Sequence, residues 1–319
     1  MASIVLARGV AGELFDVDSP KGGPTSESHL IYADPNLFQV SCFDLGFSRG
    51  DGFFEAVSVI DGKIPVSLQL HLERLVSHTK TLEFPVARID AFRQACEDVI
   101  SRYEGTSKDP MLRIFISRGF DPKTGIGKEK KAGVPSTWIY MDGEGTEHST
   151  KPLSLSSISS GRPSDAAKLY PYLLLGIKSM SYLVNMSAER EAARRGVDDV
   201  VFETTDGFAL ECTHAAIVAR FGSLWVTPDP SIGIVWSTSQ RELFAYAKRL
   251  GMETRYEKLS MERLKEADEV YETRGGWVIP VKQIDDAAFT VNEDFVKEAN
   301  HAIHYQQPEQ EKYWEHEQI

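Results

Sequence analysis

Between Phe53 and Met141 the hydrophobic period of this chain changes twice, and no other feature constrains its fold as much. "FFEAVSVI" (53–60) is rich in aromatic and β-branched residues and reads as a strand. Asp61-Gly62 is a hairpin signal between it and "KIPVSL". From Ser67 the spacing becomes helical: Leu68, Leu72, Leu75, Val76 and Leu82 form one apolar stripe. Phe92, Cys96, Val99, Ile100 and Tyr103 form a second. Two strand-like runs follow, "MLRIFIS" (111–117) and "STWIYM" (136–141). Strands, then helices, then strands describe an α+β domain of about 140 residues.

Upstream, "LFQVSCF" (37–43) reads as a further strand, and the Gly-, Pro- and Ser-rich stretch Asp18–Ser28 as an exposed loop. The polar, glycine-bearing stretch Asp142–Pro152 marks a linker. The expected domains are therefore 1–145, with 1–30 partly loop, and 146–319. The second half alternates strands and helices. "SAEREAARRG" is a helix closed by Gly196. "DDVVFETTDGFALE" and "AAIVARFGSLWVTP" each read as strand, turn, strand. "SQRELFAYAKRLG" is an amphipathic helix with Leu243, Phe244, Ala247 and Leu250 inward, and "DEVYET" and "VIPVKQI" are later strands. The polar tail from about residue 306 reads as loose or as a partner contact. The fold class is mixed, α+β passing to α/β.

A net charge of −12 over 319 residues argues against a general nucleic-acid binder and against an anionic membrane surface. No apolar run approaches the roughly 20 residues that span a bilayer, and the first 20 residues read as mature protein. Cys42, Cys96 and Cys212 are widely spaced and odd in number; they suggest reduced thiols in a cytoplasmic protein, with no metal-ligand pairing.

Four features could carry chemistry, and each has an ordinary alternative. Lys178 follows the apolar run "YPYLLLGI", which reads as a core strand delivering the lysine to a cleft. A desolvated amine loses pKa and becomes a nucleophile near neutral pH; the alternative is a strand-end lysine with its head in water. Glu211 ends the strand "GFALE" before Cys212, Thr213 and His214. It could hold a protonated ring nitrogen or simply face solvent. Arg74, in "HLERL", borders the apolar stripe, where it could grip an anion with two donors or sit at a rim. Ser237 to Gln240 open a helix, which suits either an anion or ordinary N-capping.

The order of these features along the chain resembles the class IV aminotransferases, the fold-type IV enzymes that use pyridoxal 5′-phosphate. That family includes branched-chain and D-amino-acid aminotransferases and aminodeoxychorismate lyase. "RGDGFFEAVSVIDGKIPVSLQLHLERL" looks like its N-terminal domain and "GIKSMSYLVNMSAEREAARRGVDDVVFETTDGFALECT" like its catalytic core. The resemblance implies a two-domain fold with a smaller N-terminal α+β domain and a larger C-terminal mixed-sheet domain, in a homodimer. It makes Lys178 the lysine that forms the internal aldimine and shuttles the proton, Glu211 the partner of the pyridine nitrogen, and Arg74 a phosphate ligand. Thr238 and Ser239 match the phosphate-binding pair, and Tyr182 lies near the tyrosine that meets the phenolic oxygen. Arg274 stands where a phosphate-binding threonine is usual, so either Thr273 replaces it or Arg274 itself takes the phosphate or a substrate carboxylate.

The chain departs from the family in having Ser181 for a common Asn, and Phe54 where the D-amino-acid enzymes have a tyrosine. It also lacks the usual Pro-Gly-Ile before the threonine pair. The expected activity is amino transfer between an amino acid and a keto acid. The "ISRGF" stretch (116–120) is similar to the lyase, which releases pyruvate and 4-aminobenzoate, whereas Glu55 leans towards the aminotransferases. A cofactor-binding scaffold without turnover is a third reading. Nucleic acid, membrane and metal have no part in any of them.

Overall fold

A computed structural model describes residues 4–9, 11–16, 30–34, 40–119, 135–143 and 148–317. The chain divides into two compact units: 1–147 with 178–181 and 316–319, and 148–177 with 182–315. Lys178 thus belongs to the first unit, together with the residues that follow it up to Ser181.

In the first unit the elements are β1 (Val5–Gly9), α1 (Ala11–Leu14), β2 (Leu30–Ala33), α2 (Leu45–Arg49), β3 (Gly52–Ile60), β4 (Ile64–Pro65), α3 (Leu68–Thr81), α4 (Ile89–Ser101), β5 (Met111–Ser117) and β6 (Ser136–Asp142). Among the described residues they form a six-stranded sheet in the order β2-β1-β6-β5-β3-β4. Its strand pairs are antiparallel. At the β3–β4 hairpin Asp61 (φ 52°) and Gly62 (φ 68°) both enter the left-handed region, which the aspartate tolerates and the glycine prefers. Strand alternation sends Phe53, Glu55 and Val57 to one face and Phe54 to the other. The buried face of α3, including Leu72 and Leu75, packs with that of α4, including Phe92, Cys96 and Val99. Residues 40–43 are irregular rather than strand; of the proposed strand at 37–43, residues 37–39 lie outside the described residues, as does the loop at 18–28.

The second unit holds β7 (Leu153–Ser159), α5 (Ala166–Leu169), α6 (Leu183–Arg195), β8 (Asp199–Glu203), β9 (Ala209–Cys212), β10 (Ala216–Phe221), β11 (Leu224–Pro228), α7 (Thr238–Arg249), β12 (Glu253–Glu257), α8 (Met261–Lys265), β13 (Glu269–Arg274), β14 (Trp277–Ile284), β15 (Ala287–Ala288), α9 (Glu293–Tyr305) and α10 (Gln307–Gln310). Its sheet runs β12-β11-β10-β13-β14-β7-β8-β9, with β15 on β14. The sheet is mixed: β7 lies parallel to β14 and β8, and β11 parallel to β12, while the remaining pairs are antiparallel.

Three further expectations need correction. The run before Lys178 is not a core strand: Pro171–Leu173 is a 3-10 turn, Leu174 has φ 51°, and Tyr172, Leu173 and Leu174 are exposed. A proline at the start of the turn and a left-handed residue at its end break any extended ladder. Leu250 caps α7 and is 48% exposed, one position past the buried stripe. The tail is not loose: Gln310 and Trp314 are buried, the Glu315 carbonyl accepts from Arg241 Nη1 (2.9 Å), and His316 Nδ1 bonds Glu73 Oε1 (2.8 Å). Polar composition hid these specific partners.

Candidate active site

In the first unit, β3 and α3 bury a charged cluster. Arg74 Nε donates to Glu55 Oε1 (2.8 Å) and its Nη2 to Oε2 (2.6 Å), while His71 Nδ1 lies 2.6 Å from the same Oε2. Burial pushes the Glu55 carboxyl up, but the charges and hydrogen bonds of Arg74 and His71 together hold it well below the usual carboxylate range. Arg74 is therefore no rim arginine; it is buried, with two of its donors on a carboxylate.

Residues 178–181 run alongside β3. Phe54 N–H donates to Lys178 O (3.0 Å) and Met180 N–H to Gly52 O (2.9 Å), with an antiparallel bridge between Phe53 and Ser179. Lys178 N–H donates to His78 Nε2 (3.1 Å). The amine itself lies 4.5 Å from the centroid of the Phe54 ring, a cation–π distance. That ring stacks on Phe115 at 5.3 Å. Ser181, which stands where the family often has Asn, donates through Oγ to Gly50 O (3.1 Å).

In the second unit, Glu211 is the penultimate residue of β9 and its Oε2 accepts from Val235 N–H (3.2 Å). Arg162 holds the same turn by donating to Ile232 O (3.0 Å) and Gly233 O (2.7 Å). Burial lowers the Arg162 pKa and the charge of Glu211 opposes that fall. Tyr182 precedes α6, and its ring centroid is 5.0 Å from that of His214, which pairs with Glu189. Asn185 Nδ2, one turn into α6, donates to Thr213 O (2.6 Å). Tyr182 and the residues just after Glu211 are thus tied together.

The N-terminus of α7 is capped by Ser237, whose side chain accepts from Gln240 N–H (3.2 Å). Thr238 and Ser239 are buried in the first turn, and Ser239 Oγ accepts from Gly276 N–H (2.8 Å). Gly275 (φ 55°) and Gly276 (φ 77°) make the two-residue turn between β13 and β14, a geometry that glycine pairs favour. This joins the helix start to the end of β13, where Thr273 and Arg274 sit. Strand alternation separates those two. Arg274 Nη1 approaches Glu272 Oε2 at 3.8 Å, whereas the Thr273 hydroxyl is buried with no hydrogen-bond partner among the described residues. An orphaned buried hydroxyl calls for a ligand or a water.

Two groups escaped sequence reasoning. One is His78, four residues after Arg74 on the same helix face, a spacing that could have revealed it. The other is a buried trio, Asp199, Cys212 and Glu272, whose ligating atoms lie within 4.8 Å of one another. Asp199 already accepts from Thr213 Oγ1 (2.8 Å) and Val200 N–H (2.7 Å). Burial and the neighbouring Asp199 push Glu272 up to about 8, with Arg274 opposing. These residues come from three strands, and no spacing motif announces them.

The class IV amino-transferase family profile matches residues 52–284. This chain belongs to the class IV aminotransferases. They are enzymes, and pyridoxal 5′-phosphate is the family's cofactor. The chain is 29% identical over 254 residues to a bifunctional aminodeoxychorismate lyase / D-amino acid transaminase of Mycobacterium tuberculosis, covering 77% of this chain and 83% of that protein. It is 25% identical to a branched-chain-amino-acid aminotransferase of Escherichia coli, covering 74% and 77%. The solved fold IV-transaminase CpuTA1 of Curtobacterium pusillum superposes with a TM-score of 0.84 at 29% identity, over 95% of this chain and 99% of that one. The fold-type IV architecture expected from sequence is therefore present.

Within the second unit, the helix N-terminus of α7 and the Thr273 hydroxyl have the donor chemistry that a phosphate calls for, and the Glu211 carboxylate can accept from a ring N–H. Within the first unit, Lys178 carries an amine of the kind that condenses with a carbonyl.

Proposed function

We propose that this class IV enzyme transfers an amino group between an amino acid and a keto acid, with Lys178 as its cofactor-bearing lysine. The observation that carries this reading is the pinned backbone of Lys178, bonded at both N–H and C=O with its amine over the Phe54 face. Thr238, Ser239 and Thr273 are assigned to the cofactor phosphate, with Arg74 as a further cation for it. Arg274 remains a candidate for the phosphate or a substrate carboxylate, and Tyr182 for the phenolic oxygen. When bound, pyridoxal 5′-phosphate supplies the electron sink for the carbon that bears nitrogen. Lys178 Nζ takes the proton from that carbon and returns it. The Glu211 carboxylate keeps a proton on the ring nitrogen by accepting its hydrogen bond.

Loaded wild-type protein is expected to exchange amino groups between an amino acid and a keto acid, and Lys178→Ala to lose both turnover and the lysine-dependent visible band. Persistence of that band in the variant would refute the role of Lys178. The lyase is the second reading, favoured by the likeness to the bifunctional enzyme. Pyruvate release from aminodeoxychorismate, without amino transfer, would establish it in place of the first.

A homodimer is part of the proposal. Tyr172 (75%), Leu183 (78%) and Val184 (67%) are exposed in the second unit, with Leu169 and Leu173 also open; large exposed apolar side chains mark association surfaces. Sedimentation should give twice the chain mass, and Leu183→Glu with Val184→Glu should halve it. A cytoplasmic location is supported by three free cysteines. No described helix is long and apolar enough to cross a membrane.

A further inference from the structure

Helix α3 carries His78 one turn beyond Arg74, and the ring points at the lysine segment. Lys178 is held at both backbone polar atoms: its N–H donates to His78 Nε2 at 3.1 Å and its carbonyl accepts from Phe54 N–H at 3.0 Å. Of these two bonds, only the first comes from a side chain. The second belongs to the short antiparallel pairing with β3, together with Met180 N–H on Gly52 O at 2.9 Å.

The imidazole is 5% exposed and meets the Phe53 ring edge-on at 5.8 Å. Burial lowers its pKa to about 4; Glu55 opposes this, and Arg74 and Lys178 reinforce it. The ring is accordingly neutral near pH 7. With Nε2 accepting, its single proton sits on Nδ1.

We propose that His78 is a positioning residue for Lys178, whose Nε2 lone pair fixes the lysine backbone and so the direction from which Nζ meets its carbonyl or carbon target. The inference rests on Lys178 being the reacting amine. A lysine side chain has four rotatable bonds, so its reach is set by where its backbone is anchored. Displacement of a reacting group by about 1 Å can cost on the order of a hundredfold in rate. His78→Phe keeps a ring against Phe53 but has no acceptor, whereas His78→Gln places an amide oxygen at the same distance along the side chain as Nε2.

The test uses cofactor-free full-length protein treated with pyridoxal and borohydride, with the modified lysine identified by peptide mass spectrometry. Wild type should be labelled at Lys178. His78→Phe should slow that labelling by about tenfold or more and change its pH dependence, and His78→Gln should recover to within about threefold. In the loaded enzyme, His78→Phe should lower kcat with little change in KM for the amino donor. Equal labelling in wild type and the Phe variant would overturn the positioning role while leaving Lys178 as the reacting amine. Equal impairment of the Phe and Gln variants would also overturn it, because ring packing would then matter rather than the acceptor. Labelling of another lysine in wild type would sink the reading of Lys178 and the role of His78 together. Should the Phe variant not fold, 15N spectra of wild-type His78 decide: a proton on Nδ1 supports the proposal, and a proton on Nε2 at neutral pH refutes it.

Discussion

The two units bury charge in opposite ways. In the first, one carboxylate, Glu55, is met by Arg74 and His71, so full burial leaves it ionised. In the second, Asp199, Cys212 and Glu272 crowd together. Arg274, the nearby cation, is 36% exposed at its side chain and no closer than 3.8 Å to Glu272. There the strain of burial is relieved by keeping protons: Glu272 rises to about 8 and Cys212 well above the usual thiol range. A buried acid with a fork of donors stays charged; a buried acid beside another acid does not.

The largest effect should come from breaking the paired cluster. Glu55→Gln leaves the Arg74 guanidinium buried beside a neutral amide and should cost about 3–5 kcal/mol, measurable by urea unfolding. A loss below about 1 kcal/mol would mean that Arg74 finds solvent or another carboxylate.

The protonated cluster should show itself in pH dependence. The folded protein keeps a Glu272 proton that the unfolded chain releases near 4.5. Its contribution to stability is whole below that pH and drains away as pH rises towards 8, by at most about 5 kcal/mol. Glu272→Gln should flatten this fall, gaining stability over wild type at pH 8 but not at pH 4. Parallel pH profiles for the two proteins would show that Glu272 ionises normally.

His78 gives the opposite slope. Its pKa falls from 6.5 unfolded to about 4 folded, so the unfolded chain binds a proton that the folded one refuses. Stability should drop as pH falls through that window, by about 3 kcal/mol, and His78→Gln should remove the slope. The smallest effect concerns the orphaned hydroxyl of Thr273. Thr273→Val should leave cofactor-free stability unchanged or raise it by about 1 kcal/mol, while weakening cofactor affinity about tenfold, the worth of one hydrogen bond to a charged phosphate. Unchanged affinity would remove Thr273 from the phosphate site.

Legibility in the sequence followed the range of the interaction. Helix α3 and strands β3, β5 and β6 were readable because one face of each is apolar at a fixed period. The caps at Ser237 and Gly196 were readable because a helix end makes local demands. Leucines 173–175 misled because an apolar run has no direction: without an alternating or helical partner face it can as well be an exposed turn. The tail from 306 misled in reverse, since polar residues such as Glu315 pack when specific donors await them.

The sequence by itself determined the alternation of strands and helices, the helix opening at Thr238 and the order of Arg74, Lys178 and Glu211 that marks the family. These are one-dimensional properties, carried by period, capping and spacing. Tertiary structure alone decided that Arg74 spends two donors on Glu55, that His78 takes the Lys178 N–H, that the Thr273 hydroxyl has no partner among the described residues and that Glu272 faces Asp199 and Cys212. Each joins residues from different elements, and whether a buried polar group is charged, neutral or waiting for a ligand depends on which neighbours the folded chain brings within hydrogen-bond reach.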